Sequence, residues 1–341
     1  MTVGNPAPPL DPECGGIWRT ISESMFEGRG PRVDADSLEA TRSFELSTRE
    51  ALLEGRPYSH RELQLPGPAG DLVLSVFTPD ALAAPGPAVY WVHGGGMVAG
   101  SRFGASEGVD AGAAVGAVIT SVEYRLAPEH PAPAPADDCY AGLLWVAEHA
   151  DELGIDPARV VLGGASAGGG LAAATALRVR DHGGPALAGL MLCCPMLDDR
   201  MTSCSSDQFD DVILWTRASN EFGWRSLLGD RFGTDEVTIY EVPGRATDLA
   251  GLPPTWSTWA ARTSSATRTW ASPPPSGPRA ATPSCTCGPA ATTASSCSLR
   301  RPRCRSTPPR PAGAGSPGRW PRSPPDRRLS GCGSPATRPS T

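Results

Sequence analysis

One motif in this chain has the residue types and spacing to attack a carbonyl carbon. Gly164-Ala165-Ser166-Ala167-Gly168 has the pattern G-x-S-x-G, follows the apolar run Val160-Val161-Leu162 and precedes a run of helix-forming residues. This order predicts a strand, a sharp turn and a helix, with the hydroxyl of Ser166 exposed above the sheet as a nucleophile. Gly164 and Gly168 are predicted to be structural, because only small residues let strand and helix approach at such a turn.

A second motif could stabilise the negative charge that such an attack creates. His93-Gly94-Gly95-Gly96 directly follows an apolar run that ends at Val92. Glycines suit an oxyanion hole, because their amides can face a reacting carbonyl without a side chain between them. We expect the amides of Gly95, Gly96 and Ala167 to bind the oxyanion, Gly94 to shape the loop, and His93 to be structural. The alternative is an ordinary glycine-rich turn after a strand.

With the segment Tyr124-Arg125-Leu126-Ala127-Pro128-Glu129-His130-Pro131, these motifs occur in an order that resembles the microbial hormone-sensitive-lipase family of α/β-hydrolases. The resemblance extends over about residues 40–255. It implies a mostly parallel central sheet with helices on both faces and a helical cap, and a serine carboxylesterase or lipase that acts on small ester substrates without metal or cofactor. Ala165 and Met97 depart from the family, which usually has Asp and an aromatic residue there, so they affect substrate fit.

The sequence also predicts how the chain is divided. Residues 1–255 form one α/β core, and cap segments lie at about residues 1–50 and 200–230; the second contains Phe209, Trp215, Phe222 and Trp224. Residues 200–230 are otherwise expected to be irregular. The remaining elements are a hairpin at 61–80, strands ending at Val92 and Gly164, strands at 117–122 and 187–193, and helices at 108–116 and from Asp137 onward.

Composition changes sharply near Trp256. Residues 256–341 contain 13 arginines and a single acidic residue, Asp326, whereas residues 1–255 contain 17 arginines and 35 acidic residues, and the chain has no lysine. The acidic body argues against nucleic-acid binding. We find no apolar run long enough to span a membrane, no secretory signal pattern and no metal-binding cysteine spacing. Cys193-Cys194 is expected to lie buried in a strand, and the protein to be cytoplasmic.

The catalytic residues expected after the serine are absent from this chain. The fold requires an acid and then a histidine after Ser166, but the last histidine of the sequence is His182. His93 and His130 belong to loops and are given structural roles. Without an imidazole base, the serine hydroxyl stays a weak nucleophile, and the chain is expected to be inactive.

A change of reading frame near codons 256 and 257 could explain this loss. Residues 256–270 can be written in G+C-rich codons chosen among synonyms. When these bases are read from the third position of codon 256, they encode Val-Asp-Val-Gly-Gly-Ala-Asp-Val-Phe-Arg-Asp-Glu-Asp-Val. The same shift within residues 284–295 gives Leu-His-Val-Trp-Pro-Gly-Gly-Tyr-His-Gly-Phe. Both resemble the family's acid and histidine motifs. The acid would span codons 262 and 263, and the histidine codons 292 and 293.

Two alternatives remain. The tail could be a genuine Arg/Pro/Ser-rich segment, disordered by composition and attracted to anionic surfaces. The chain could also be a small-molecule binder that does not catalyse, as with the plant gibberellin receptors, which resemble the same family and lack the histidine.

Overall fold

In the computed structural model, which describes residues 32–43, 47–203, 206 and 215–258, a seven-stranded sheet forms the centre of the fold. The strand order is β1-β2-β4-β3-β5-β6-β7. The pairs β1–β2 and β2–β4 are antiparallel, and the other four neighbouring pairs are parallel. The strands are β1 (Tyr58–Gly67), β2 (Gly70–Pro79), β3 (Gly86–Val92), β4 (Val118–Glu123), β5 (Ile155–Ala165), β6 (Gly189–Cys193) and β7 (Thr255–Thr258).

Helices pack on both faces of this sheet, as the sequence predicts. Side chains alternate along β3: Tyr90 and Val92 lie in one core with Leu143, whereas Val89 and Trp91 lie in another. Alternation of this kind is the period-2 signature of a strand, and burial on both sides is typical of parallel sheets. The helices are α1 (Leu38–Ser43), α2 (Arg49–Leu53), α3 (Ser106–Ala113), α4 (Ala134–Glu148), α5 (Ala150–Leu153), α6 (Ala167–His182) and α7 (Arg217–Leu228).

The predicted hairpin is present at the antiparallel end of the sheet. Strands β1 and β2 pair in register from Tyr58 opposite Pro79 to Gly67 opposite Gly70, which leaves a two-residue loop at 68–69. Gly70 has φ +124°, a backbone conformation that residues other than glycine rarely adopt. The turn signal in the sequence therefore predicts the hairpin correctly.

Two expectations about the helices are wrong in detail. Helix α4 begins at Ala134 rather than at Asp137, because a proline in the first turn is compatible with a helix. Residues 217–228 are a helix rather than irregular, and the Thr216 hydroxyl caps it by accepting a hydrogen bond of 3.1 Å from the Ser219 amide.

The paired cysteines are separated by the end of strand β6. Cys193 is buried as expected, and burial raises the pKa of its thiol to about 12, which is the behaviour of an unreactive core cysteine. Cys194 lies beyond the strand, is half-buried and has φ +46°, so it does not share the environment predicted for it.

The last described strand extends past the predicted domain boundary. Strand β7 includes Trp256, Ser257 and Thr258, and pairs in parallel with β6. Residues 1–31, 44–46, 204–205 and 207–214 of the predicted cap lie outside the described residues, as do residues 259–341 of the predicted tail. No helix within the described part of the chain has the length and apolar character needed to cross a membrane.

Candidate active site

Ser166 occupies a strained turn between β5 and α6. Its backbone has φ +54° and ψ −119°, a region that residues with a side chain rarely adopt. Backbone hydrogen bonds hold it there: its amide donates to the Cys193 carbonyl at 2.8 Å, and its carbonyl accepts from the Met196 amide at 2.9 Å and the Gly170 amide at 3.1 Å. The half-buried serine thus projects from a fixed turn at the carboxyl end of a central parallel strand.

The flanking glycines of this turn have no room for a side chain. A Cβ atom built on Gly164 would overlap the carbonyl group of Gly168, and one built on Gly168 would overlap the carbonyl oxygens of Val92 and His93. Backbone atoms cannot rotate away as a side chain can. The structure therefore gives a steric reason for both glycines of the G-x-S-x-G pattern.

The glycine-rich loop lies against this turn. A Cβ on Gly94 would be 3.3 Å from the Ser166 Cβ and 3.1 Å from the Ala165 carbonyl oxygen. Gly95 and Gly96 both have positive φ, +114° and +65°, and the Gly95 carbonyl accepts hydrogen bonds that close a tight turn. The structure thus brings the two predicted motifs together.

The backbone amides predicted to bind an oxyanion belong to the glycine-rich loop and to the first residue of α6. Within the described residues, the N–H groups of Gly95, Gly96 and Ala167 donate no hydrogen bond. Ala167 is the first residue of α6, whose opening amides lack partners inside the helix and carry its positive dipole end. These donors are consequently available to an anionic oxygen.

The His93 side chain makes contacts that stabilise the glycine-rich loop. Its ring is fully buried and stacks on Tyr124 at a centroid distance of 4.1 Å, while the Tyr124 hydroxyl donates to the His93 carbonyl at 3.0 Å. The His93 Nδ1–H donates to the Gly94 carbonyl at 2.8 Å, which leaves Nε2 unprotonated and, within the described residues, without a hydrogen-bond partner. Burial lowers the pKa of His93 to about 4, so the imidazole is neutral at pH 7.

None of the five histidines, all of which are described, forms a hydrogen bond with the Ser166 hydroxyl. His60 Nε2 lies 2.9 Å from the hydroxyl of Ser75, and exposed His130 lies within the proline-rich loop. His182 ends the 16-residue helix that begins after Ser166, which places it about 24 Å along the helix axis from the serine. Among the described residues, the structure thus brings Ser166 close to the glycine-rich loop, and no histidine is hydrogen-bonded to this serine.

Two residues at the site have contacts that the sequence did not predict. Arg42 of α1 donates to the Val98 carbonyl at 2.8 Å, to the Ala127 carbonyl at 2.9 Å and to both carboxylate oxygens of Glu129. Trp215, predicted only as a cap aromatic, packs its indole against Gly96. Only the carboxylate of Glu129 in the proline-rich motif could have signalled a basic partner.

Among the described residues, no group of three or more His, Cys, Asp or Glu side chains is arranged to hold a metal ion.

Comparisons with known proteins agree with this geometry. A family model for the alpha/beta hydrolase fold matches residues 89–271. Esterase LipI of Mycobacterium tuberculosis is 37% identical over 205 residues, which cover 57% of this chain and 62% of that protein. Carboxylesterase NlhH of the same organism is 37% identical over 197 residues, covering 54% and 58%. The chain therefore spans less than two thirds of the length of these curated relatives.

Solved structures give the same likeness over more of the fold. A bacterial heroin esterase has a TM-score of 0.62 and 39% sequence identity, covering 73% of this chain and 78% of that one. An esterase from Pyrobaculum calidifontis has a TM-score of 0.62 and 30% identity, covering 73% and 79%.

Proposed function

The chain belongs to the alpha/beta hydrolase fold family, and from that premise we propose that it carries the nucleophile and the oxyanion hole of a carboxylic ester hydrolase. Ser166 would attack the carbonyl carbon of a small ester with a short to medium acyl chain. The amides of Gly95, Gly96 and Ala167 would then bind the oxyanion, with Gly94 shaping the loop. The observation that carries this proposal is the positive-φ turn of Ser166 together with three amides that donate no hydrogen bond within the described part of the chain.

The reaction in this chain would stop before the serine is acylated. When the Ser166 oxygen bonds to the carbonyl carbon, its proton must move to a base, and that base later gives the proton to the leaving alcohol. No imidazole forms a hydrogen bond with Ser166, and the low pKa and buried position of His93 prevent it from substituting. We therefore infer that the oxyanion hole is retained while turnover is lost.

Ligand binding without catalysis is a second function that the three amides and the missing base would permit. Amides without acceptors bind an anionic or polar oxygen whether or not a base is present. A chain with these amides and no imidazole would bind a small ester or carboxylate without consuming it.

Hydrolysis of p-nitrophenyl butyrate, with and without free imidazole, tests the proposal. The chain and its Ser166→Ala variant should hydrolyse the ester equally slowly when no imidazole is added. Free imidazole should then accelerate the unsubstituted chain more than the Ser166→Ala control, because the added base replaces the missing one. A Ser166-dependent rate without imidazole would contradict the absence of turnover. Equal rates at every imidazole concentration would contradict the assignment of Ser166 as a nucleophile.

A further inference from the structure

The indole of Trp215 occupies the space directly beside Gly96 of the oxyanion loop. A Cβ built on Gly96 would overlap Cη2 of the indole, and would lie 2.6 Å from Cζ2 and 3.2 Å from Cζ3. The benzene part of the indole thus contacts the backbone of Gly96, whose amide donates no hydrogen bond within the described residues. The ring therefore lies next to a residue that we propose binds the oxygen of the ligand.

The ring is fixed in place by the helix that follows it. The indole Nε1–H donates to the Asn220 Oδ1 at 3.0 Å, and Asn220 is itself buried in α7. One turn further along α7, a Cβ on Gly223 would lie 3.5 Å from the indole Cζ2 and 2.8 Å from the Gly96 carbonyl oxygen. A glycine at 223 therefore lets the helix, the ring and the loop pack closely. Such packing keeps the ring from rotating to admit a longer ligand.

From these contacts we propose that Trp215 is a specificity-determining wall that restricts the site to short-chain acyl groups. The inference rests on the proposed function, because it assumes that the ligand's polar oxygen binds the amides of the glycine loop. A hydrocarbon chain that leaves that oxygen on the side of Gly96 meets the indole after a few carbons. Replacement of Trp215 by a small residue would open apolar space for a longer chain.

Binding of butyrate and octanoate to the full chain, measured by ligand-observed NMR, tests this wall. Trp215→Ala should tighten octanoate binding about tenfold, since several additional methylene groups become buried, and should change butyrate binding less than about threefold. Trp145→Ala, which removes a half-buried tryptophan stacked on His149, is the matched control and should change neither. Unchanged octanoate binding in Trp215→Ala would overturn the inference. Absence of butyrate binding in every form would instead count against the proposed function.

A stability cycle tests the contact even if no carboxylate binds. Gly96→Ala is made in the wild-type chain and in the Trp215→Ala background, and the midpoint of urea unfolding is measured for each. Strain from the positive φ is common to both backgrounds and cancels. The loss should be larger when the indole is present, because only then does the new methyl group overlap the ring. If Gly96→Ala lowers the urea midpoint equally in both backgrounds, the indole does not restrict the space at Gly96.

Discussion

Because Gly168 has no side chain, helix α6 can pack directly against the end of strand β3. Gly168→Ala should lower the free energy of unfolding by about 3 kcal/mol, because the new methyl overlaps two backbone carbonyl oxygens. Chemical denaturation of the variant measures this loss. Gly189→Ala is the control: its Cβ would be 3.5 Å from the nearest atom, so its effect should stay within about 0.5 kcal/mol. Similar losses in the two variants would contradict the steric argument.

The buried His93 makes the fold sensitive to acid. Its pKa is about 4 in the folded protein, below the ordinary value of 6.5, because burial disfavours the charged ring. The unfolded chain therefore takes up the proton first as pH falls. Stability that is complete above pH 6.5 should be lost as pH falls towards 4, by about 2 kcal/mol at pH 5.

Urea unfolding at pH 7.5 and pH 5 measures this loss and assigns it. His93→Asn should have a smaller pH dependence over that interval, since no ring remains to be protonated on unfolding. His182→Asn, at an exposed helix end, should keep the wild-type dependence. An equal dependence in wild type and His93→Asn would exclude His93 as the cause.

Local contacts explain why parts of the site were predictable. The turn at Ser166 and the loop at Gly94 are each encoded by adjacent residues, so the motifs alone place them. The contact of Trp215 with Gly96 joins residues far apart in the chain, and only the packing of α7 brings them together. No local pattern in the sequence encodes such a contact.

At the scale of elements, the guanidinium of Arg42 connects helix α1 to the glycine-rich loop. Arg42 binds the carbonyls of Val98 and Ala127, two buried residues, and its hydrogen bonds hold the pKa of Glu129 down to about 2. A single side chain therefore joins the predicted cap to the glycine loop and the proline-rich loop.

Arg42→Met should destabilise the protein by about 2 kcal/mol, because it leaves buried carbonyls without their charged donor. Glu129→Gln should cost less than about 1 kcal/mol, since the carboxylate is 54% exposed and its ion pair is screened by water. Thermal unfolding of both variants ranks the two contributions. Arg49→Met, which removes an exposed pair with Glu50, is the control and should have little effect. If Glu129→Gln destabilises the protein more than Arg42→Met does, the hydrogen bonds of Arg42 to the two carbonyls are not the main contribution.

Periodicity in the sequence predicted the sheet better than it predicted the cap. Strands β3 and β6, and residues 160–162 within β5, are apolar runs, which is the pattern of a buried parallel strand. Helix α7 was missed because aromatic residues obscured its helical spacing, although the Thr216 cap and the buried Trp224, Leu227 and Leu228 mark it. The start of α7 is therefore indicated by the Thr216 cap more than by the hydrophobic pattern.

At the scale of the whole molecule, strand β7 lies where the composition of the chain changes. Trp256 is 53% exposed, although it lies in a strand that pairs in parallel with β6. Parallel strands normally read as apolar runs because helices cover both faces. The residues from 256 onward, Trp256-Ser257-Thr258, do not match that environment, which favours our proposal that the reading frame changes here.

Restoring the alternative frame from codon 256 should give a more stable and active protein. Its strand would read Val-Asp-Val in place of Trp256-Ser257-Thr258, and the acid and histidine that follow would supply the missing base and its partner. Sequencing the source DNA across codons 254–296 comes first, because an additional base there would show which frame is encoded. The restored protein should unfold at a higher temperature than the present chain and hydrolyse p-nitrophenyl butyrate in a manner abolished by Ser166→Ala. If it unfolds at the same temperature and gives no Ser166-dependent rate, the arginine-rich tail belongs to the protein and binding without turnover is the function to pursue.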